Sequence, residues 1–306
     1  MNKSSLPQGV GRVFSTVPQV KTVQSTQPTV APTMSLHLSL SQLTTLRWSL
    51  YDEILHLRSA RYEGIGLWRP KVAKLGVHVT ARLIRNAGLK VSSLSFAGGF
   101  TGTNGQSYLD AVADGRDAIT DAAALGARNL IVVSGPRNGH TVTHGKRLLL
   151  GALTELADFA QTRGVKLCLL PMHRSFAPTW TSLNTLDAAV EVIDLVGHPS
   201  LSLAFNSYQL MQESRLVDRI PAIAGLTGLV QIADATRPPL SRYDQCLTGE
   251  GIVPVAEIVR SFQFSGFDGY YEVQVCSTTG GADDDSQTLS KCRDAILRLN
   301  DQAVTI

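Results

Sequence analysis

The sequence predicts an α/β fold in which eight parallel strands close into a single (β/α)8 TIM barrel. Three observations support it: eight short apolar runs, helical patterns between them, and helix-ending glycines at a regular interval. Gly88, Gly126 and Gly164 stand 38 residues apart, which is the length of one strand and one helix. Each glycine suits the left-handed position that closes a helix, and a strand pattern follows within three residues.

The strand patterns number eight, as a closed parallel barrel requires. They cover Ser35 to Leu40, Gly64 to Leu67, Val91 to Phe96, Leu130 to Ser134, Lys166 to Leu170, Leu201 to Asn206, Leu229 to Ala233 and Tyr270 to Val275. The intervening helices carry core-facing apolar stripes, as in Leu149, Leu153 and Leu156. An open doubly wound sheet is the alternative, but no glycine-rich phosphate-binding turn follows the first strand.

The first 33 residues differ in composition from the rest of the chain. They are rich in Ser, Thr, Gln, Pro and Val, and they hold three basic residues and no acid. This composition predicts a disordered tail over residues 1–33 and a barrel domain over 34–306. A transit peptide is the alternative, although arginine is scarce. The tail is too polar for a secretory signal or a membrane span.

The charge of the predicted barrel is balanced, with 25 basic and 25 acidic residues, so the formal net charge of +3 belongs to the tail. Nucleic acid binding requires a clustered basic face, so we expect neither a nucleic acid nor a membrane partner. The four cysteines show neither a metal-binding spacing nor a dense disulfide framework. A cytoplasmic location is therefore predicted, while the oligomeric state stays open.

Four predicted strand ends carry uncharged residues where a barrel enzyme gathers its functional groups: Leu170, Asn206, Gln231 and Gln274. The loops beyond these strands hold further polar residues, namely His173, Arg174, Tyr208, Gln209, Asp234, Arg237 and Arg242. Side chains alternate along a strand, so Glu272 is expected to point inward one layer below Gln274. A carboxyl group at that depth must be paired, hydrogen bonded or protonated.

Several short segments occur in an order that carries a resemblance. They are Thr44-Thr45-Leu46-Arg47-Trp48, Gly64-Ile65-Gly66-Leu67-Trp68-Arg69, Leu170-Pro171-Met172-His173-Arg174 with Asn184-Thr185-Leu186, Gly197-His198-Pro199, Gly249-Glu250-Gly251, and Gly266-Phe267-Asp268-Gly269-Tyr270-Tyr271-Glu272-Val273. From about Met34 to Val275 the chain thus resembles the xylose-isomerase-like barrels of the sugar phosphate isomerase and epimerase superfamily.

The resemblance implies a divalent metal that bridges two sugar oxygens and stabilises an enediolate while a carboxylate removes a proton. In that family the ligands are typically Glu at the position of Leu170, Asp at Asn206, His at Gln231 and Glu at Gln274. A further His commonly stands at the position of Gln209. This chain departs from the family at every one of these positions. No cofactor is therefore expected.

The replacements follow a physical pattern. Asn for Asp and Gln for Glu keep the side-chain shape while removing charge, and Gln for His keeps a donor and an acceptor. Carboxylates around an empty site would repel one another, whereas amides can hydrogen bond among themselves. Carboxamide oxygens also ligate calcium, but such sites usually include carboxylates. The pattern favours a layer adapted to the absence of a metal.

Two residues are candidates for catalysis, and each has a structural alternative. His173 transfers a proton or binds sugar, or else it bonds a loop carbonyl; Asp234 accepts a ligand hydroxyl, or else it caps its own loop. Trp48 and Trp68 form an aromatic wall for a sugar ring, or else they pack at the rim. The remaining candidates for substrate binding are Arg174, Asn206, Gln209, Gln231 and Gln274.

Other polar motifs receive structural interpretations. Gly249-Glu250-Gly251 is expected to be a turn, and the run Asp283-Asp284-Asp285 is expected to cap the last helix. Arginines 69, 174, 237 and 242 are mostly surface charges, although one or two could hold a phosphate or carboxylate at the mouth. The spacing of His140 and His144 does not by itself indicate zinc.

Three functions are consistent with the sequence. The first is a barrel that binds a small-molecule sugar or polyol derivative at its C-terminal mouth after losing metal-dependent catalysis. The second is an active, metal-independent isomerase or epimerase that uses His173 or Asp234 to move the proton. The third is a non-catalytic interaction protein whose mouth is filled by its own loops. Whether the chain is an enzyme is left open by these alternatives.

Overall fold

The computed structural model describes residues 36–103, 105–241, 243–276 and 287–301. The strands in chain order are β1 (His37–Ser41), β2 (Gly64–Trp68), β3 (Lys90–Gly98), β4 (Asn129–Val133), β5 (Lys166–Leu169), β6 (Leu201–Asn206), β7 (Thr227–Ile232), β8 (Asp234–Ala235), β9 (Gln245–Cys246) and β10 (Tyr270–Val273). Eight of them close into a parallel barrel in the order β1-β10-β7-β6-β5-β4-β3-β2. The predicted TIM barrel is therefore confirmed.

Helices alternate with the strands around the barrel. They are α1 (Leu50–Ser59), α2 (Arg69–Leu75), α3 (Val77–Asn86), α4 (Tyr108–Leu125), α5 (Val142–Arg163), α6 (Leu186–Val196), α7 (Leu216–Ile223), α8 (Val255–Phe264) and α9 (Gln287–Asp301). The three regularly spaced glycines adopt the left-handed conformation that the sequence predicted, with φ values of 72° at Gly88, 72° at Gly126 and 67° at Gly164. Each therefore ends a helix and turns the chain into the next strand.

The apolar core has two parts, one between the strands and the helices and one inside the barrel. The inner part, called here the interior cluster, consists of Ile131, Val133, Cys168, Leu170, Met172, Phe176, Ala204, Tyr208, Leu229, Ala233, Ala235 and Tyr270. Phe176 and Tyr208 follow β5 and β6, so side chains from the loops contribute to the packing at the C-terminal ends of the strands.

One element was not predicted. The short strands β8 and β9 pair antiparallel after β7, with Asp234 opposite Cys246 and Ala235 opposite Gln245. The predicted tail over residues 1–33, Asp283-Asp284-Asp285 and Arg242 lie outside the described residues. Among the helices that are described, none combines the length and apolarity needed to cross a membrane.

Candidate active site at the barrel mouth

Two amides and one carboxyl group form a hydrogen-bonded chain across three neighbouring strands. The strand register places Asn206 on β6 beside Gln231 on β7, and Gln231 beside Glu272 on β10. Asn206 Nδ2 donates to Gln231 Oε1 at 3.0 Å, and Gln231 Nε2 donates to Glu272 Oε1 at 2.9 Å. Asn206 stands where the resemblance implied an Asp ligand and Gln231 where it implied a His ligand, and the two amides are hydrogen bonded to each other.

The direction of this amide chain is set by the backbone. Asn206 Oδ1 accepts the backbone N–H groups of Tyr208 and Gln209, each at 3.1 Å. Because the oxygen must face these donors, the nitrogen must face Gln231, and the orientation of Gln231 follows. Gln209 extends the network, since its Oε1 accepts the backbone N–H of His173 at 2.9 Å.

Glu272 ends the chain inside the barrel. Its Oε2 accepts from the hydroxyls of Ser92 at 2.8 Å and Ser93 at 2.7 Å. Gly66 on β2 faces it, and a Cβ atom there would overlap the carboxyl group. Burial raises the pKa of Glu272, and the hydrogen bonds from Ser93, Gln231 and Ser92 oppose that shift. The inward orientation and hydrogen bonding expected of Glu272 are both present.

The four uncharged strand ends are nearly sealed from solvent. Asn206 and Gln231 are 2% exposed, Leu170 is 3% and Gln274 is 7%. Leu170 belongs to the interior cluster, and Gln274 donates its backbone N–H to Ile232 O at 2.9 Å. In the described part of the chain, no three His, Cys, Asp or Glu side chains come together as a potential metal-binding group.

These donors do not fit the family's divalent metal. The amide oxygens of Asn206, Gln209 and Gln231 already accept hydrogen bonds within the protein. The acid in contact with this layer is Glu272, whose oxygens already accept hydrogen bonds from Ser92, Ser93 and Gln231 and whose pKa is raised by burial. A hard divalent cation favours several carboxylate oxygens, and this layer does not supply them.

His173 is held by the turn that it begins. Its Nδ1 accepts the backbone N–H of Ser175 at 3.2 Å, and Ser175 Oγ lies 2.9 Å from the same atom. This contact replaces the predicted bond to a backbone carbonyl, because the ring caps the short helical turn Arg174–Phe176. Burial, and secondarily Arg174, lowers the pKa of His173. The neutral ring therefore carries its proton on Nε2, which donates but does not accept.

Asp234 organises the loop that follows the hairpin. Its Oδ1 accepts the backbone N–H groups of Ala235 at 2.8 Å and Val253 at 3.1 Å. Its Oδ2 accepts those of Gly249 at 2.9 Å and Gly251 at 3.0 Å. Asp234 is only 1% exposed, so both oxygens are saturated away from solvent. This arrangement matches the capping alternative, and Gly249 has the positive φ expected of the predicted turn.

The arginines near the mouth have different environments. Arg69 is half-buried, and its guanidinium group is held within the protein by two hydrogen bonds of 2.8 Å with Asp114. Arg237 pairs with Asp244 at 3.0 Å. Arg174 is exposed, and no ion pair joins it to another described residue.

An aromatic cavity of about 520 Å³ lies at the ends of β2 and β3, where α2 and α3 also line it. We call it the aromatic cavity; its walls include Trp68, Arg69, Phe96, Asp121 and Trp180. The rings of Phe96 and Trp180 meet edge to face, with centroids 5.9 Å apart. Trp48 lines a neighbouring cavity of about 380 Å³ and packs on His56 at 4.6 Å. The two predicted tryptophans therefore share only that second cavity, which Trp68 also lines.

A buried polar cluster fixes the strand that carries Trp68. Gln42 Oε1 accepts the backbone N–H of Trp68 at 2.8 Å, while Gln42 Nε2 donates to Glu53 at 2.7 Å. Glu53 also accepts from Thr45 at 2.7 Å and from Lys71 at 2.5 Å. Burial raises the pKa of Glu53, and Lys71 opposes the shift. The backbone at the end of β2 is therefore bonded to Gln42, which in turn is bonded to the ion pair of Glu53 and Lys71.

The sequence interpretation omitted two walls of the aromatic cavity. Phe96 stands at the end of a predicted strand, which is a mouth position, but it was not among the predicted site residues. Trp180 lies in the loop after β5, beyond the segment that drew attention to His173. Its backbone carbonyl accepts the N–H of Gly135 at 3.1 Å, which ties that loop to the end of β4.

The fold and the mouth together define a (β/α)8 barrel with a polar layer on β6, β7 and β10 and a cavity at the ends of β2 and β3. A family model described as the xylose isomerase-like TIM barrel matches residues 56–292. The chain belongs to that family.

Solved structures share the fold at low sequence identity. A protein from Sinorhizobium meliloti 1021 is 23% identical, covering 86% of this chain and 98% of its own, with a TM-score of 0.79. The IolI protein with a bound zinc atom is 15% identical over 89% and 100% of the two chains, with a TM-score of 0.74. An L-ribulose 3-epimerase is 17% identical over 88% and 97%, with a TM-score of 0.72. Among curated proteins, no sequence matches this chain.

Proposed function

We propose that this chain binds a sugar or polyol derivative at the barrel mouth and has lost the metal-dependent catalysis of its family. The amide chain from Asn206 through Gln231 to Glu272 carries the proposal. It occupies the strand ends where the family's ligands would converge, and it turns their polar atoms toward one another. A layer organised in this way satisfies its polar groups within the protein and needs no cation, which supports the loss of the metal.

The aromatic cavity supports the binding half of the proposal. Sugar rings present apolar C–H faces that pack on aromatic side chains, and Trp68, Phe96 and Trp180 supply such surfaces. Arg69 and Asp121 add polar groups to the same wall, as small-molecule sites require. A volume of about 520 Å³ accommodates a monosaccharide with its hydration.

The names of two structural neighbours suggest the first ligands to test. They are an L-ribulose 3-epimerase and a D-allulose 3-epimerase from Methylomonas sp.. Both names denote ketoses, whose hydroxyl groups match a wall that mixes aromatic and polar side chains. The four free cysteines support a cytoplasmic setting for this function, because reducing compartments keep thiols unpaired.

A metal-independent isomerase is less well supported by the geometry. His173 uses Nδ1 to cap its turn, and Asp234 uses both oxygens on backbone donors. A proton-transferring group needs a free acceptor within reach of the substrate. Neither residue presents one in this arrangement.

An interaction protein is the second candidate, favoured by the sealed mouth. Asn206 and Gln231 are 2% exposed, and Phe176 and Tyr208 pack in the interior cluster near them. In this alternative the barrel holds no small molecule, so a ligand titration separates it from the proposal.

The test combines a ligand titration with metal analysis. We expect L-ribulose or D-allulose to show saturable binding by ligand-observed NMR, and Trp180→Ala to weaken it about tenfold, as loss of one aromatic wall implies. Trp48→Ala is the matched control, because Trp48 lines the neighbouring cavity. Absence of binding by either ketose would favour the interaction protein.

The metal half of the test uses the protein purified without added metal. We expect less than one equivalent of manganese, cobalt or zinc, and no deuterium exchange beside the carbonyl of either ketose. The combined variant Leu170→Glu, Asn206→Asp, Gln231→His and Gln274→Glu is expected to bind a divalent metal that the wild type does not. A stoichiometric metal in the wild type, with exchange that a chelator abolishes, would overturn the proposal.

A further inference from the structure

A third cavity opens at the opposite end of the barrel, where the strands begin. Its volume is about 200 Å³, and it lies among the starts of β4, β5, β7 and β10. Its wall includes the side chains of Arg128, Lys166, Asp268 and Tyr270. Catalytic groups of such barrels gather at the other end, so the residues of this cavity are not used by the proposed function.

The wall of the cavity is closely packed around Gly228. Gly228 packs so closely that a Cβ atom there would come within 2.7 Å of Cys168 Sγ and 3.2 Å of both Asn129 Oδ1 and Ser202 Cβ. Asn129 is already engaged, because its Nδ2 donates to Ser92 O at 3.0 Å and its Oδ1 accepts from the Cys168 thiol at 3.4 Å. The polar groups left to contact a ligand are therefore at the rim.

Two cations stand side by side at this rim. Arg128 precedes β4 and Lys166 begins β5, and the backbone N–H of Lys166 donates to Arg128 O at 3.0 Å. Both side chains are exposed, and neither forms an ion pair within the described part of the chain. The nearby Glu63 is engaged by His37 at 2.7 Å, which leaves Asp268 as the acid that lines the cavity. The cavity wall thus carries two positive charges and one negative charge, and Glu63 lies close enough to raise the pKa of Tyr270.

Tyr270 adds a hydrogen-bond donor. Tyr270 is 9% exposed and also belongs to the interior cluster, which holds the phenol in place. Burial and then Glu63 raise the pKa of Tyr270, while Arg128 opposes the shift, so the hydroxyl keeps its proton at neutral pH. A fixed O–H near a guanidinium group, in a cavity that an ammonium group also lines, is a donor set that suits an oxyanion.

We propose that this N-terminal cavity, the Arg128 cavity, binds a small oxyanion of the phosphate class between Arg128, Lys166 and Tyr270. A guanidinium group matches two phosphate oxygens at once, and the ammonium group of Lys166 supplies a point charge to a third. The volume of about 200 Å³ holds a phosphate group with a short carbon chain but not a nucleotide. Inorganic phosphate and a small phosphomonoester present the same headgroup.

The test is a calorimetric titration of the full chain with inorganic phosphate, against sodium chloride at equal ionic strength. We expect one saturable site for phosphate and none for chloride. The double variant Arg128→Gln, Lys166→Gln is expected to bind phosphate at least about tenfold more weakly, since two charge-assisted contacts are lost. Lys90→Gln is the matched control, because Lys90 also begins a barrel strand and is exposed but does not line the cavity.

A third variant is expected to strengthen binding, which a misfolded protein would not do. Asp268→Asn removes the one acid of the cavity wall, so phosphate is expected to bind more tightly. Glycerol 3-phosphate and malonate serve as further ligands, and malonate binding as tightly as phosphate would assign the site to carboxylates instead. Phosphate that binds no better than chloride, or a double variant with wild-type affinity, would overturn the proposal. Binding of the ketoses at the other end is measured separately and does not depend on this outcome.

Discussion

Gln231 Nε2 donates to Oε1 of Glu272 at 2.9 Å, so a neutral amide contacts the buried carboxyl group of the barrel. Gln231 can donate in this direction because its oxygen is occupied by Asn206, whose own oxygen is held by two backbone N–H groups. The backbone N–H groups after β6 thus determine which way each side chain of the amide chain donates and accepts. A charge introduced at one end must disturb the other.

Asn206→Asp is therefore expected to destabilise the protein by about 2 kcal/mol. The new carboxylate would face Gln231 Oε1, which now accepts from Asn206 at 3.0 Å. Gln231 would have to reverse its amide, and Glu272 Oε1 would then lose the N–H donor that it now has at 2.9 Å. Chemical denaturation at pH 7 measures the loss.

The reversal can be tested by a double-mutant cycle. In an Asn206→Asp, Glu272→Gln variant, the new amide at 272 can donate to the reversed Gln231. The two changes are expected to be less destabilising together than their sum, by about 1 kcal/mol or more. Strict additivity would show that the three side chains do not act as one hydrogen-bonded unit.

The pH dependence of stability gives a second prediction, for Glu272→Gln. Burial raises the folded-state pKa of Glu272 above its ordinary 4.5, so the wild type loses stability as pH rises through 4.5 toward the folded-state value. The loss amounts to about 1.4 kcal/mol for each pH unit by which the pKa is raised. The variant lacks this titration.

We therefore expect the unfolding free energy of Glu272→Gln, relative to wild type, to increase as pH rises from 4 to 7. Other titrating groups are common to both proteins and cancel in the difference. Urea denaturation at four pH values suffices. A difference that stays constant, or that falls with pH, would contradict the raised pKa.

The fold followed from periodic features of the sequence, whereas the site depended on contacts that have no period. Gly88, Gly126 and Gly164 mark helix ends because few other residues adopt a positive φ at low cost, so their spacing reports the βα units directly. The hairpin of β8 and β9 was not predicted, because strands of two residues are too short to show an alternation of apolar and polar side chains.

The site was predicted in part. Alternation along β10 correctly placed Glu272 inside the barrel, but its partners Ser92 and Ser93 come from β3 and required the register of a closed sheet. The sequence named His173 and Asp234 as polar loop residues. It held no information on which backbone N–H groups they would meet, because those donors are fixed only when the loops close.

A third prediction concerns Asp234, which accepts four backbone N–H groups. Asp234→Asn replaces one acceptor oxygen with a donor that faces backbone N–H groups, so we expect a loss of about 2 to 3 kcal/mol. The amides of Gly249, Gly251 and Val253 should lose hydrogen-exchange protection. Glu250→Gln is the control, since Glu250 is exposed in the same loop.

The role of Asp234 also predicts what the change will not do. If the ketoses bind in the aromatic cavity, Asp234→Asn should leave their dissociation constants within about twofold of wild type at a temperature where the variant is folded. Asp234 does not line that cavity. A large loss of binding without a loss of stability would return Asp234 to the ligand site.

The last prediction tests how tightly the barrel interior is packed around Glu272. A Cβ atom at Gly66 would overlap the carboxyl group of Glu272, which its bonds to Ser92, Ser93 and Gln231 hold in place. Gly66→Ala is therefore expected to cost about 3 kcal/mol, at the upper end for overpacking a core. Gly225→Ala is the matched control, because no atom lies within 4 Å of its added Cβ and its φ is not positive. That change should be neutral or stabilising by up to about 1 kcal/mol, through the unfolded chain. Equal thermal stability of the two variants would mean that the carboxyl group of Glu272 can move away from Gly66. The amide chain would then not be a fixed feature of the mouth.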